Sequence, residues 1–277
     1  MLIEAKPAPL EAPTQEGAWP DISVVIPMYR EAKRIAPTLR EVAEYARRSG
    51  RHIELVLVDD GSDDATADAA MSVVRDLPAG TFAGVILKLH GRNRGKGAAI
   101  RTGLEASTGR WVLCMDADGS SPASEVEKLL AKSETWGMAA GSRGMPDSEV
   151  EAVANRKVAG LAFRACLAAL GMNMLRDTQC GFKLYRRDAA DLVVRYGRED
   201  GYTFDLEHLL ILKQAGLSVG EVGVKWKHVG GGQVRPFRDG MRMLGAAVKL
   251  RARFKFCAQP NSGLSSANVI TEVKSSI

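Results

Sequence analysis

Two aspartates separated by one residue, Asp116 and Asp118, directly follow a short apolar segment, Trp111–Met115, that is typical of a buried strand. Alternate residues of an extended segment point to the same side, so both carboxylates can reach one cation. Their hard oxygen atoms suit Mg²⁺ or Mn²⁺, and Mg²⁺ is commonly held by one or two carboxylates together with the phosphates of a substrate. The pair therefore predicts a divalent-metal site, with a solvated turn as the alternative.

Further polar residues stand at the ends of two other predicted strands. Pro27, Tyr29 and Glu31 follow the first strand, and Asp60 follows the second. Ligands of an open α/β sheet bind outside the carboxyl ends of its strands. We therefore expect these residues to share one edge of the sheet with the aspartate pair, an arrangement suited to a nucleotide and a divalent metal. For Asp60 alone, a turn followed by a helix cap is the alternative.

A basic loop, Arg92–Gly97, precedes a predicted helix and carries Lys96 between two glycines. It is not a Walker A loop, because its glycine spacing is one residue short and Gly97 replaces the Ser or Thr. It is not a dinucleotide fingerprint either, because Ile100 replaces the third glycine. A basic loop at a helix start suits phosphate oxygens, so we predict a contact with a diphosphate or nucleotide. A solvated basic turn is the alternative.

Strand-like and helical segments alternate along the chain. The predicted strands are Ile22–Ile26, Ile53–Val58, Val85–Leu89, Trp111–Met115, Met138–Ala140, Phe182–Tyr185 and Val219–Trp226. The predicted helices are Pro37–Arg48, Ala65–Val74, Gly97–Ala106, Ser124–Thr135, Val150–Leu170, Asp205–Gln214 and Arg238–Phe256. This alternation predicts an α/β fold whose mostly parallel sheet is flanked by helices.

Composition limits the possible classes of protein. The chain has 277 residues, 45% of them apolar and 26% charged, which fits one α/β domain with small appendages. A disordered chain, a collagen-like chain and a small disulfide scaffold are excluded. The 4 cysteines form no CxxC pair, which argues against a zinc site or redox motif and favours reduced thiols in a cytoplasmic protein.

The basic residues near the carboxyl end suggest a membrane surface as partner. No apolar run reaches the ~18 residues of a spanning helix, and Met1–Pro20 lacks the apolar core of a signal peptide. The last predicted helix places Arg238, Arg242, Lys249 and Arg253 on one face, which suits an anionic membrane. An ordinary packing helix is the alternative. Nucleic acid is not expected as a partner, because only 6% of residues are aromatic and no recognition motif occurs.

Five motifs occur in order along the chain: VVIPMYRE, VDDGSDD, GRNRGKGAA, MDADG and RDTQCGFKLYRR. Together they resemble the inverting family-2 glycosyltransferases of GT-A (Rossmann-like) fold. Within that family the chain is most similar to the polyprenyl-phosphate sugar synthases, the dolichyl-phosphate glucosyl- and mannosyltransferases. The resemblance implies a GT-A domain at residues 21–235. It leaves a flexible leader at 1–20, an amphipathic interfacial helix at 236–257 and a disordered tail at 258–277.

The resemblance also implies an activity. It is metal-dependent, inverting transfer of a sugar from a nucleoside diphosphate sugar, with UDP-glucose favoured, to a polyprenyl (dolichyl-type) monophosphate at the cytoplasmic face of a membrane. GDP-mannose and UDP-N-acetylhexosamine remain open as donors, and a saccharide or small molecule remains open as acceptor. A phosphatase of the haloacid-dehalogenase type is a further alternative, disfavoured because the aspartate pair lies in mid-chain. A non-catalytic nucleotide-sugar binder is disfavoured because the metal carboxylates are present.

Matching the motifs residue by residue assigns expected roles. The metal ligands are Asp116 and Asp118. The donor nucleotide is expected to contact Pro27, Tyr29, Glu31, Asp60, Lys96, Asp116 and Ala117, and the lipid phosphate Arg143, Arg156, Arg176 and Gln179. Asp118 and Asp205 are the expected catalytic carboxylates. Asp205 is interpreted as an orienting or acceptor-site group, because a phosphate nucleophile needs no strong base, with a surface helix carboxylate as the alternative.

Overall fold

The computed structural model describes residues 20–151, 165–230 and 236–254, which form a sheet with helices on both faces. The strands are β1 (Ile22–Met28), β2 (Ile53–Asp59), β3 (Gly84–Leu89), β4 (Trp111–Cys114), β5 (Met138–Ser142), β6 (Glu149–Glu151), β7 (Lys183–Arg186), β8 (Val219–Gly223) and β9 (Lys225–Lys227). The helices are α1 (Ile35–Ser49), α2 (Thr66–Asp76), α3 (Lys96–Ala106), α4 (Val126–Ser133), α5 (Arg187–Tyr196), α6 (Phe204–Gln214) and α7 (Pro236–Arg253).

Seven strands form the central sheet in the order β3-β2-β1-β4-β7-β5-β8, and all neighbours are parallel except β7, which is antiparallel to β4 and β5. Alternate residues of β1 point to opposite faces. Val24 packs in an apolar cluster with α1, α2 and α4, whereas Val25 packs in a second cluster with α3, α5 and α6. The predicted α/β fold with a mostly parallel sheet flanked by helices is confirmed.

The reversed strand β7 determines which loops meet. Because β7 is antiparallel, its first residue, Lys183, pairs with Cys114 at the end of β4. The segment that precedes β7 therefore lies beside the aspartates that follow β4. Arg143 directly follows β5, whose residue Gly141 donates a backbone hydrogen bond to Phe182 at 2.8 Å. Three segments distant in sequence thus converge at one edge of the sheet.

Three local predictions differ from the structure. The predicted strand Val219–Trp226 is two strands in different sheets, because β8 pairs with β5 whereas β9 pairs with β6. The predicted helix Val150–Leu170 begins in strand β6, because Val150 pairs with Trp226; residues 165–169 are helical and 152–164 lie outside the described residues. Helix α5 was not predicted, because it begins directly after β7 with no intervening turn residues.

The predicted basic helix near the carboxyl end is confirmed as α7. The predicted leader, apart from Pro20, and the predicted tail lie outside the described residues. Within the three described ranges, every helix is too short or too polar to cross a membrane.

Candidate functional site

The two aspartates that follow β4 are held in different ways. Asp116 lies against Gly181, and its Oδ1 is 2.5 Å from the Nζ atom of Lys96. Asp118 Oδ1 accepts hydrogen bonds from the backbone N and the Oγ of Ser120, at 3.0 and 2.5 Å. Between them, Ala117 is buried, and its carbonyl accepts a hydrogen bond from Thr38 in α1 at 2.8 Å. Ala117 therefore anchors the segment on the core while both carboxylates stay at the sheet edge.

Electrostatics at this edge are dominated by carboxylates. Burial raises the pKa of Asp116, but Lys96 outweighs burial and brings the pKa below its ordinary value. Burial also raises the pKa of Glu31, and the paired guanidinium of Arg34 opposes that shift only in part. The negative charges of Asp118 and Asp116 raise it further, which shows that Glu31 lies close to the pair. A cation bound among these groups would relieve their repulsion.

Asp60 folds the basic loop. One carboxylate oxygen accepts a hydrogen bond from the backbone N of Arg94 at 2.9 Å, and the other accepts one from Gly95 at 2.8 Å. Nδ1 of His90 lies 2.7 Å from the same carboxylate. The backbone N of Gly97 donates to the carbonyl of Asp200 at 2.8 Å. Because the amides of Arg94, Gly95 and Gly97 already have partners, the fold does not leave them open for a phosphate.

The residues predicted beside the base lie near Asp60. The backbone N of Asp60 donates to the carbonyl of Met28 at 2.8 Å, which fixes it next to the end of β1. Pro27 is opposite Val58 in the β1–β2 register. Tyr29 is partly exposed, and the guanidinium of Arg30 stacks 5.2 Å from the centre of its ring. Strands β1 and β2 therefore bring Pro27, Tyr29 and Asp60 to the same edge as Asp116.

Across this edge, Arg143 is held on two sides. Its Nε and Nη2 donate to the two carboxylate oxygens of Asp177 at 2.7 and 2.9 Å, and its guanidinium stacks 5.3 Å from the ring centre of Trp226. The side chain remains about a third exposed, at 34%. Arg143 also contributes to lowering the pKa of Asp116, so the two side chains are within electrostatic range of each other.

The Arg176–Asp177 loop is fixed by a carboxylate of β8. Glu221 accepts hydrogen bonds from the backbone N of Arg176 and of Asp177, at 2.6 and 2.7 Å. Gln179 donates its backbone N to Asp177 at 3.3 Å. Beside the loop is a cavity of about 540 Å³, lined by Arg176, Glu221 and the apolar residues Leu167, Met174 and Leu175 among others. Arg156 lies outside the described residues.

Asp205 is buried, so the alternative of a surface helix carboxylate is wrong. Its Oδ1 lies 2.6 Å from the Nζ of Lys183, which is itself 1% exposed. Burial raises the pKa of Asp205, and Lys183 and Lys96 oppose that shift. Asp205 and Lys183 therefore form a buried ion pair, and the charge of Lys96, which pairs with Asp116, also acts on Asp205.

Comparison with known proteins assigns the family. The family model described as "Glycosyl transferase family 2" matches residues 23–193, more than half of the chain. The chain belongs to glycosyl transferase family 2. It is 32% identical over 267 residues to the dolichyl-phosphate beta-glucosyltransferase of Mus musculus, covering 91% of this chain and 79% of that protein. It is 30% identical over 246 residues to the enzyme of the same name from Dictyostelium discoideum, covering 84% and 74%.

Solved structures confirm the GT-A fold of this glycosyltransferase. Glucosyl-3-phosphoglycerate synthase from Mycobacterium tuberculosis, in complex with Mn²⁺, UDP and phosphoglyceric acid, superposes with a TM-score of 0.63 at 18% identity, covering 88% of this chain and 81% of that one. Mannosyl-3-phosphoglycerate synthase from Rubrobacter xylanophilus superposes with a TM-score of 0.61 at 20% identity, covering 84% and 73%. At these identities the likeness concerns the fold.

Four residues of the glycosyltransferase site escaped the sequence analysis: His90, Lys183, Glu221 and Trp226. His90 lies in a loop and bridges Asp60 and Thr102 at 2.7 and 3.0 Å, so both of its ring nitrogens have partners. Lys183 follows Phe182 and begins a buried strand, and a lysine at such a position is a usable signal, because lysine is almost never fully buried unless it is paired. For Glu221 and Trp226 no such signal exists, because their partners come from segments distant in the sequence.

Gly181 supplies the space in which the Asp116 carboxylate lies. A Cβ atom at Gly181 would lie 2.4 Å from Asp116 Oδ2. Replacement of Gly181 by Ala is expected to displace the carboxylate and to lower the transfer rate about 100-fold, because a displacement of about 1 Å is enough for that loss. Initial rates of glycosyl transfer measure the effect. Gly84→Ala, where nothing lies within 4 Å, is the matched control. Equal rates for the two variants would contradict this role of Gly181.

Proposed function

We propose that this glycosyltransferase transfers glucose, with inversion, from UDP-glucose to a polyprenyl monophosphate of the dolichyl type, with the help of Mg²⁺ or Mn²⁺. The observation that carries the proposal is Arg143, a partly exposed guanidinium held by Asp177 and Trp226 within electrostatic range of Asp116. One edge of the sheet thus offers a cation for an acceptor phosphate opposite carboxylates for a donor. The names of the relatives from Mus musculus and Dictyostelium discoideum support the choice of glucose and dolichyl phosphate.

The carboxylates at the end of β4 fit a divalent cation. In the described part of the chain no three His, Cys, Asp or Glu side chains are grouped to hold a metal alone. Mg²⁺ sites commonly need only one or two carboxylates, with substrate phosphates supplying other ligands, and Asp116 and Asp118 would be those carboxylates. When bound, the cation would stabilise negative charge on the departing diphosphate.

The acceptor explains why no strong base is required. A phosphate monoester has a second pKa near 6, so a lipid monophosphate is already mostly ionised at pH 7. The planar guanidinium of Arg143 suits phosphate oxygens, and the contacts with Asp177 and Trp226 orient it in advance. Inversion requires the phosphate oxygen to attack the anomeric carbon from the face opposite the diphosphate. The carboxylate of Asp205 is paired with Lys183, so in this proposal Asp205 orients the ammonium of Lys183 and does not accept a proton.

Helix α7 supports attachment to a membrane surface. Met241 and Val248, 60% and 50% exposed, are seven residues apart and therefore lie on one face, and the exposed Arg242 and Lys249 flank them. Apolar side chains flanked by basic ones suit the boundary of an anionic leaflet, where each basic residue adds about 1 kcal/mol. Arg253 is used differently, because it bonds to the buried Glu207 and to the carbonyl of Tyr196. We place the enzyme at the cytoplasmic face of a membrane, as a peripheral protein.

Transfer of radiolabel into lipid tests the proposed function. The purified full chain is incubated with polyprenyl phosphate vesicles, Mg²⁺ or Mn²⁺, and labelled UDP-glucose, GDP-mannose or UDP-N-acetylglucosamine, and butanol-extractable label is counted. We expect label from UDP-glucose that disappears with a chelator and with Asp118→Ala. Label that survives both treatments would contradict the metal site. Preferential use of GDP-mannose or UDP-N-acetylglucosamine would contradict the proposed donor.

A further inference from the structure

We propose that Lys96 is a built-in counter-ion that the divalent cation must displace from Asp116, so that the freed ammonium moves to the diphosphate of the donor. The inference rests on the proposed function, because it assumes a metal and a diphosphate at this site. It adds an order of events. A divalent cation that binds alone competes with the Lys96 ammonium for Asp116, whereas with the donor present the cation neutralises Asp116 and the ammonium neutralises the diphosphate.

The contact between Lys96 and Asp116 carries the inference. Nζ lies 2.5 Å from Oδ1, on a carboxylate that the cation needs. Gly181 closes one side of that carboxylate so tightly that a Cβ there would overlap it. The Lys96 ammonium therefore takes a position where a divalent cation would bind. The ammonium and the divalent cation would compete for the same oxygen, Oδ1 of Asp116.

The backbone of the loop is fixed by hydrogen bonds, so an exchange of partners by Lys96 would involve its side chain alone. The backbone N of Gly95 and of Gly97 donate to Asp60 and to the carbonyl of Asp200, each at 2.8 Å. Gly95 has a φ of 110° and packs so closely on Asp200 that a Cβ would lie 2.3 Å from its carbonyl oxygen. A lysine has a flexible four-carbon stem, so its ammonium can change partners without moving the loop.

Asp205 is a second carboxylate whose negative charge acts on Lys96. Its Oδ1 is buried, with Lys183 Nζ at 2.6 Å but no well-oriented hydrogen bond. The ammonium that leaves Asp116 therefore still has a second carboxylate within electrostatic range. A permanent cation beside the departing diphosphate is what the reaction needs.

The exchange predicts that removal of the Lys96 charge strengthens the binding of Mn²⁺ alone and weakens the binding of UDP. Binding of Mn²⁺ alone is followed by electron paramagnetic resonance, and binding of UDP at saturating Mn²⁺ by calorimetry. For Lys96→Gln we expect Mn²⁺ alone to bind about tenfold more tightly and UDP about tenfold more weakly, since the substitution removes the competitor of the cation and also a charge-assisted contact with the diphosphate. Lys96→Arg keeps the charge and is expected to bind Mn²⁺ about as wild type does. Lys88→Gln removes an exposed charge from β3 and is expected to change neither affinity.

The outcomes separate the exchange from the proposed function. If Lys96 merely holds Asp116 in place, Lys96→Gln weakens Mn²⁺ binding as well as UDP binding, and the exchange is overturned while the function stands. Mn²⁺ affinity unchanged by Lys96→Gln would also overturn it. If wild type bound no Mn²⁺ even with UDP present, the metal-dependent function and the exchange would fail together. Thermal melting of each variant verifies that the protein compared is folded.

Discussion

Replacement of Asp118 by Asn is expected to lower the rate of glucosyl transfer about 1000-fold, a loss typical of removing a group that stabilises charge in a transition state. The substitution is nearly isosteric. Asn can still accept the hydrogen bonds from Ser120 that fix the turn, so the expected loss reports the missing charge and not a changed loop. Initial rates at saturating Mg²⁺, with melting temperature as the folding control, measure the effect.

Asp205→Asn is the informative comparison. Because an ionised phosphate nucleophile needs no general base, we expect a smaller loss, about tenfold, from disturbed positioning of Lys183 and Lys96. The variant also weakens a buried ion pair, so its melting temperature is expected to fall. Single-turnover rates with pre-bound acceptor compare the two variants at the chemical step. Equal losses for Asp118→Asn and Asp205→Asn would contradict the role given to Asp205.

Replacement of Arg143 by Met is expected to weaken the use of the lipid acceptor about 100-fold while leaving the KM for the nucleotide sugar nearly unchanged. The change removes the guanidinium and leaves the Asp177 carboxylate, which is 11% exposed, without its bidentate partner. The acceptor phosphate would also lose its charged partner, and loss of one member of a charge pair between binding partners costs about 2–5 kcal/mol. Arg143→Lys is expected to recover only part of the activity, because an ammonium cannot reproduce the planar two-pronged contact.

The chain contains a matched control for Arg143. Arg110 also pairs with a carboxylate, that of Glu134 at 3.3 Å, and also stacks on a tryptophan, Trp111, at 5.6 Å. It precedes β4, at the edge of the sheet opposite the site, and is exposed. Arg110→Met is therefore expected to leave both KM values unchanged. If Arg143→Met raised the KM for donor and acceptor alike, Arg143 would not be a specific acceptor group.

The common sheet edge of the residues assigned to the donor could be predicted, because local patterns determine where each strand ends. Apolar, β-branched segments such as Ile22–Ile26 are buried on both faces, and polar residues directly after them must stand at the sheet edge. The spacing of Asp116 and Asp118 then indicates a shared direction. Strand periodicity alone does not complete that step, because β4 ends at Cys114 and residues 117 and 118 form a turn.

The positions of the residues assigned to the acceptor depend on strand pairing that no local pattern determines. Strand β7 has only 4 residues, and its antiparallel insertion between β4 and β5 is decided by tertiary packing. Without that insertion, nothing in the sequence places Lys183 beside Asp205 or Asp177 beside Arg143. Tertiary contacts also explain why the backbone of the basic loop does not match its predicted contact with phosphate. Its amides donate to Asp60 and to the carbonyl of Asp200, two partners that the sequence of the loop does not reveal.

Competition between acceptors tests the central claim most directly. The full chain receives labelled UDP-glucose with Mg²⁺ and equal concentrations of polyprenyl phosphate in vesicles and 3-phosphoglycerate in solution, and both products are counted over time. The guanidinium of Arg143, which would bind the acceptor phosphate beside the aspartates, and the basic helix α7 both favour the lipid acceptor. We therefore expect nearly all label to enter the lipid, in the β configuration. Arg143→Met is expected to remove this preference. Label that enters the soluble acceptor instead would contradict the account.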